Sequence, residues 1–369
     1  MSRHRLRRAL WKLHSIAGLI SAVGLLVIGF TGTVLVLHED LDRLFFPEVT
    51  RVTPLPEGKL PWSERVRAVE QAFPEHAVTG WALQREDDRA AEGVYVMPWG
   101  TREWRYLTMD PYTGDILSEP VHADATFKHW ILDLHSVLLM DHVGMALSGL
   151  LGVLLCFLGL SGLWIYRRFW KMIFTLRWKG GARLLWGNVH RLTGVLSVGT
   201  NLLLGATGAY WNLTHLVEEW LHPHHDPADE AIFHEKLYPD DFPLDEMLAN
   251  TDQHIAGFEA HYVSMPWAKD GQFTLWGRHR EAGWFRSLYG SQISLSANDA
   301  TVLHVNDLRK ASWWAQVKDS FEPLHFGDFG GPLVKLIYAL AGLAPGVLAV
   351  SGIAIWWKRR TVTPQMKAG

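Results

Sequence analysis

Four of the 19 histidines in this 369-residue chain stand where imidazole could ligate a metal. His14 and His190 each sit about one turn inside the end of a long apolar stretch. His135 and His325 precede two others, each in a Leu-His dipeptide. Neutral imidazole on a helix is a good iron ligand, and haem sites are built between the helices of bundles. Two histidines at one depth on opposite sides of a bundle supply both axial ligands of one haem b, so the four would hold two. The competing reading of each is a structural histidine at a membrane interface. Intramembrane ionisable residues are costly and usually functional, and a symmetric pair weighs towards ligation. His38, which ends the first apolar stretch, and His142, on the helical face of His135, are the weaker metal candidates for the second site. The cluster "HPHHD" (222–226) can catch a transition metal. The matching segment of the other half lacks these histidines, and it reads as a solvated loop.

Other chemistries find no residues. No Walker A sequence, no Rossmann glycine fingerprint, no zincin motif and no nucleophile elbow is present. The single cysteine, Cys156, excludes an intramolecular disulfide and every multi-cysteine metal site, and reads as inert packing in mid-span. A net charge of −3 argues against a nucleic-acid partner. With no nicotinamide or flavin site, electrons would come from a membrane quinol or a separate cytoplasmic reductase.

The elements that position the histidines are four apolar windows at 11–37, 143–166, 189–213 and 333–357. Each meets the ~20 residues needed to cross a ~30 Å hydrocarbon core. Small residues and flanking tryptophans, 19 in the chain, favour membrane spans over buried helices of a soluble protein. The first window is too long for a signal-peptide core and lacks a small-residue cleavage pattern, so it reads as a retained span. Basic residues set the orientation. Arg5, Arg7, Arg8 and Lys12 precede any acid. The segment 167–188 is basic without an acid, and the tail 358–369 carries Lys358, Arg359 and Arg360. By the positive-inside rule the termini 1–10 and 358–369 and the loop 167–188 are cytoplasmic. The acidic segments 38–142 and 214–332 then lie outside, in the periplasm if the membrane is a bacterial inner membrane.

The halves repeat. One constant offset carries His14 onto His190, Gly18 onto Gly194, Gly29 onto Gly205, and Thr31-Gly32 onto Thr207-Gly208. A second carries Leu134-His135 onto Leu324-His325, Gly152 onto Gly342, and Ser161-Gly162 onto Ser351-Gly352. Both copies enter the membrane from the same side, a parallel repeat about an axis along the membrane normal. The predicted fold class is an α-helical membrane protein, with four transmembrane helices in two parallel pseudo-twofold repeats and two extracytoplasmic α+β domains. A continuous helix from His135 to Tyr166 would be roughly 46 Å long at about 1.5 Å per residue. Either it breaks near 141–144 or His135 lies at the interface. "GDFGGP" (327–332) looks like the matching break.

The outside segments are too long for structureless connections. "GVYVMPW", "EWRYLTMD", "HYVSMPW", "GQFTLWG" and "SQISLSANDATVL" alternate like strands. "SERVRAVEQAFP" and "PLDEMLANTDQHI" read as short helices, and "DPYTGDIL" (110–117) as a strand with a tight turn.

Several motifs in this order resemble the PepSY-associated transmembrane helix family of iron-regulated inner-membrane proteins. They are "LHSIAGL" (13–19), "TGTVLVLHEDLD" (31–42), "DPYTGDIL", "LHSVLL" (134–139), "LSGLWIYRR" (160–168), "VHRLTGVL" (189–196), "LHFGDFGG" (324–331) and "VSGIAIWWKRR" (350–360). The resemblance covers nearly the whole chain. It implies four spans, two periplasmic PepSY-like domains and, in some members, reduction of ferric siderophores by a di-haem b protein. His14, His190, His135 and His325 occupy the family's recurrent histidine positions. The second module departs from the pattern: "SLSANDATVL" lacks the Asp-Pro-x-Thr-Gly turn. The resulting expectation is an inner-membrane oxidoreductase that passes electrons to a periplasmic ferric-siderophore-type chelate. The alternatives are a haem-free PepSY-type binding or regulatory protein, and a transporter. The transporter is weakened by the absence of Asp, Glu and Lys from the central part of the first three spans.

Overall fold

The computed structural model describes residues 3–166, 181–221, 234–266 and 271–361. Helix α1 (Arg3–Val36) is followed by the short helices α2 (His38–Phe45) and α3 (Pro47–Thr50). Helix α4 (Trp62–Ala72) precedes strands β1 (His76–Ala82), β2 (Glu92–Pro98), β3 (Arg105–Met109) and β4 (Val121–His122). Helix α5 (Phe127–Ser136) then leads to α6 (Asp141–Ile165). The second half runs α7 (Ala182–Leu221), α8 (Leu244–Ala249), then β5 (Phe258–Ser264), β6 (Gln272–His279), β7 (Ser291–Ser296) and β8 (Val302–Asn306). It ends with α9 (Trp313–Asp319), α10 (Phe321–Phe326) and α11 (Gly331–Thr361). The chain divides into a helical unit (1–38, 130–223, 324–369) and a sheet unit (39–129, 224–323).

In the helical unit α1, α6, α7 and α11 are long and apolar enough to cross a membrane. α7 extends well beyond the predicted span 189–213 at both ends, so the last residues of the basic segment 167–188 are helical. The four helices form a ring in which α1 packs on α6 and α11, and α7 packs on α6 and α11. Glycine sets the closest approaches. A Cβ on Gly29 would lie 2.6 Å from the Gly342 carbonyl oxygen, and one on Gly205 2.8 Å from that of Gly152. Apolar side chains such as Ile20, Val23 and Leu196 face outward, while Ser21, Thr31, Ser161, Asn201, Thr207 and Ser351 are buried. That inverts a water-soluble bundle and suits lipid, where small and polar residues hold helices together.

Both expected helix breaks are present. α5 and α6 are separated at 137–140, a few residues earlier than predicted. α10 and α11 part at Gly327–Gly330, within the predicted "GDFGGP".

The sheet unit holds one antiparallel sheet in the order β4-β3-β2-β1-β5-β6-β7-β8. The sequence predicts two modules; the strands of both outside segments join edge to edge, with Gly80, Trp81 and Ala82 of β1 opposite Ser264, Val263 and Tyr262 of β5. One face buries Trp81, Val94, Leu107, Phe273, Leu275 and Ile293 in a core that includes Trp62 of α4 and Met247 of α8. Asp245 of the second segment caps α4 of the first, accepting from the Trp62 N–H at 2.6 Å and the Ser63 N–H at 3.2 Å. Glu92, fully buried, accepts from Arg65, from Lys59 at 3.1 Å and from the Trp81 indole at 2.7 Å. Three donors on one carboxylate offset its desolvation. The predicted turn after β3 is present, with Asp110 accepting from the Tyr112 N–H and Gly114 at φ 81°, but in place of the predicted strand, 110–117 makes one isolated bridge, Ile116 to Met109.

Candidate functional site

His14 on α1 and His190 on α7 project into the helical unit from two helices that α6 and α11 flank on either side. Their ring centroids are 6.4 Å apart at an interplanar angle of 82°. Nδ1 of His14 lies 2.8 Å from the Ser161 hydroxyl, and Nδ1 of His190 lies 2.9 Å from that of Ser351. Each serine already donates its one proton to its own helix: Ser161 to the Leu158 carbonyl, Ser351 to that of Val347. With the hydroxyl proton on its own helix, the hydroxyl accepts from the ring, an arrangement that puts the imidazole proton on Nδ1. Nε2 is left unprotonated with its lone pair available.

The second pair obeys the same logic. His135 on α5 and His325 on α10 have centroids 6.3 Å apart at 68°. Nδ1 of His325 meets the Thr207 hydroxyl at 2.6 Å, and Nδ1 of His135 meets the Thr31 hydroxyl at 3.1 Å. Thr31 donates to the Val27 carbonyl and Thr207 to that of Leu203. His135 Nδ1 also meets the Ile28 carbonyl at 3.0 Å, a group that can only accept. The carbonyl assigns the Nδ1–H form to His135, and the three other rings have a hydroxyl in the matching place.

Beside each hydroxyl stands a glycine that admits the ring. A Cβ on Gly162 or Gly352 would lie 3.6 Å from Cε1 of His14 or His190, and one on Gly32 or Gly208 would lie 2.9 or 3.3 Å from Cε1 of His135 or His325. One turn beyond His14 and His190, Gly18 and Gly194 leave space, since a Cβ there would meet only a leucine methyl at 3.7 or 3.6 Å. Thr31 and Thr207 stand about 25 Å along their helices from His14 and His190, at about 1.5 Å per residue.

The other candidates lie elsewhere. His142 is largely exposed and pairs with Glu219 at 2.9 Å. His38 begins α2, its Nδ1 2.6 Å from the Leu35 carbonyl. "HPHHD" (222–226) lies outside the described residues. Cys156, half-buried, has its Sγ against the Leu202 carbonyl in the packing of α6 on α7. Among the described residues no group of three or more His, Cys, Asp or Glu is placed to hold a metal ion, so each pair offers two protein ligands.

Two features of the site escape a reading of histidines alone. The four hydroxyls are visible in sequence as repeat-matched Thr-Gly and Ser-Gly dipeptides, but their role needs the rings placed beside them. Trp211, one turn after Thr207, lies edge-on to His325 at 5.1 Å and has no aromatic counterpart in the first half.

A Pseudomonas aeruginosa protein recorded as uncharacterized is similar, with 27% identity over 257 residues, 64% of this chain and 65% of the relative. The chain thus matches slightly under two thirds of that relative's length. The PepSY-associated TM region family matches residues 11–359. A match from the first membrane helix to the last covers both histidine pairs, and the chain belongs to the PepSY-associated TM region family.

Proposed function

We propose that this protein is a di-haem b oxidoreductase that moves electrons across a bacterial inner membrane and reduces ferric chelates of the siderophore type on the far side. The observation that carries the reading is the spacing of the two ring pairs. With metal–nitrogen bonds of about 2.0 Å and ring nitrogens about 1.1 Å from their own centroids, two imidazoles on opposite sides of one metal would have centroids about 6.2 Å apart. The observed separations are 6.4 and 6.3 Å. Two ligands are too few for a bare ion, and a macrocycle supplies the remaining four. A haem b, when bound, supplies a one-electron couple whose potential depends on its axial ligands and burial.

The chain's own residues do the rest. Ser161, Ser351, Thr31 and Thr207 hold the Nδ1 protons, which fixes each ring's rotation and presents an unprotonated Nε2. The glycines keep space beside the rings. Reduction of a ferric chelate needs neither a nucleophile nor a general base, in keeping with the motifs present. The repeat supports the same reading: related positions on the two halves would face each other across a pseudo-twofold axis, with the termini cytoplasmic and the sheet unit in the periplasm. The electron donor is a quinol or a cytoplasmic reductase.

The test is a set of single variants in the purified protein. His14→Ala and His190→Ala should each lose one low-spin haem, or turn it high-spin, and resemble one another. His135→Ala and His325→Ala should do the same to the other haem and abolish chelate reduction. Full wild-type haem content and spectrum in both His14→Ala and His190→Ala would overturn the inner site.

A further inference from the structure

The two histidine pairs are carried differently. His14 and His190 lie within α1 and α7, unbroken helices of 34 and 40 residues. His135 and His325 ride on short arms, α5 of 10 residues and α10 of 6, each joined by a break to the helix that follows.

The breaks are built from different residues. Gly327, Gly330 and Gly331 form the second with φ of 71°, 78° and 74°, which glycine adopts at no steric cost. The first places Leu138, Leu139 and Asp141 at φ of 52°, 57° and 47°, where Cβ crowds a backbone carbonyl. Among the described residues, Ala300 is the one other non-glycine with such a φ. Strain of this kind persists where surrounding contacts impose it, and it clusters at functional sites. Here the contacts are identifiable. The Ser136 carbonyl, at the end of the arm, accepts from Asn212 Nδ2 at 2.9 Å and from the Ser148 hydroxyl. The second arm is tied without strain: Tyr338 donates to the Leu324 carbonyl at 2.7 Å, and Trp211 lies against the His325 ring.

We infer that the outer pair is a ligand-exchange site in which His135 is the releasable ligand and His325 the fixed one. The coordination position that His135 vacates takes a small exogenous donor ligand, while the inner pair stays closed. This rests on the haem reading above. Swinging α5 away lets 138, 139 and 141 return to ordinary backbone angles, and it breaks the ties on Ser136 and the His135 Nδ1 contacts with Thr31 and the Ile28 carbonyl. Strain favours release; Asn212, Ser148, Thr31 and Ile28 oppose it. Two substitutions must then act in opposite directions. Asn212→Ala cuts a tie and speeds release. Leu139→Gly, at a half-exposed side chain, keeps the left-handed turn but removes its cost, and slows release.

The probe is carbon monoxide, mixed with the dithionite-reduced, full-length protein. Wild type should take it up slowly and on no more than half of its haem. Asn212→Ala, which removes the part-buried bonds to the Ser136 carbonyl and the Ser148 hydroxyl, should bind it about tenfold faster, and Leu139→Gly more slowly than wild type. In both variants the inner haem should keep its low-spin spectrum, which shows that the fold is intact. Amide hydrogen exchange over 137–140 gives a readout that needs no haem, and it should rise in Asn212→Ala and fall in Leu139→Gly. Equal uptake by both haems, or rates and exchange that do not move in opposite directions, would overturn the inference and leave the haem reading standing. A purified protein without haem would overturn the haem reading and with it the ligand role of His135.

Discussion

Nδ1 of His325 and the hydroxyl of Thr207 are 2.6 Å apart, the shortest of the four imidazole–hydroxyl contacts. Thr207 is the hydroxyl partner of that ring nitrogen, whereas His135 Nδ1 meets both Thr31 and the Ile28 carbonyl. The two threonines occupy matching places yet should not be equally important.

Thr207→Val keeps the side-chain shape and deletes the acceptor. A buried imidazole N–H left without a partner costs about 1–3 kcal/mol, and loss of a group that orients a metal ligand typically weakens binding about 10–100-fold. Thr31→Val leaves the Ile28 carbonyl in place and should weaken binding far less. The rate of haem transfer from the outer site to an excess apoglobin measures both. Equal rates for the two variants would contradict the assigned hydrogen bonding.

Trp81 joins the two halves of the sheet. It is fully buried on β1, lies edge-on to Trp62 at 6.0 Å and donates to Glu92. Trp81→Ala should destabilise the sheet unit by about 3–5 kcal/mol, as large-to-small changes at fully buried aromatics do. The shift is read from the thermal unfolding of the purified protein. A change within measurement error would mean that the two segments do not share this core.

A third expectation concerns pH. Burial pushes the Asp319 carboxyl up to about 6, against the pull of the Ser287 N–H and the Arg286 charge, with the Glu322 charge adding to the rise. An unfolded Asp titrates near 3.9, so between about pH 4 and 6 the folded protein binds the extra proton. Its stability contribution from this group falls as pH rises through that window. The melting temperature of wild type should show this fall, and Asp319→Asn should flatten it. An unchanged slope in the variant would remove Asp319 from the account.

Orientation is open to a separate check. Reporter fusions after Glu86 and after Lys179 should report opposite sides of the membrane, the second cytoplasmic, because the segment 167–188 is basic without an acid. Both reporters on one side would contradict the four-span topology.

The helices and histidine pairs were legible in the sequence for a physical reason. Membrane spans need long apolar runs, and matching sequence motifs in the two halves relate His14 to His190 and His135 to His325 by position alone. The breaks were legible from length, since a helix from His135 to Tyr166 overruns the bilayer. The joined sheet was not. Its junction strand β1, "HAVTGWA", mixes His76, Thr79 and Gly80 among apolar residues and gives little alternation, and pairing of β1 with β5 is a long-range event that no local pattern records. The hydroxyl acceptors were visible only as repeat-matched Thr-Gly and Ser-Gly pairs. Their bonding depends on side chains from different helices meeting at hydrogen-bond distance.

The most direct test of the central proposal is the haem content and reduced-minus-oxidised spectrum of the full-length protein purified from its membrane. Two haem b per chain are expected, both low-spin with b-type bands when reduced. A colourless protein with no haem, from cells supplied with haem, would contradict it.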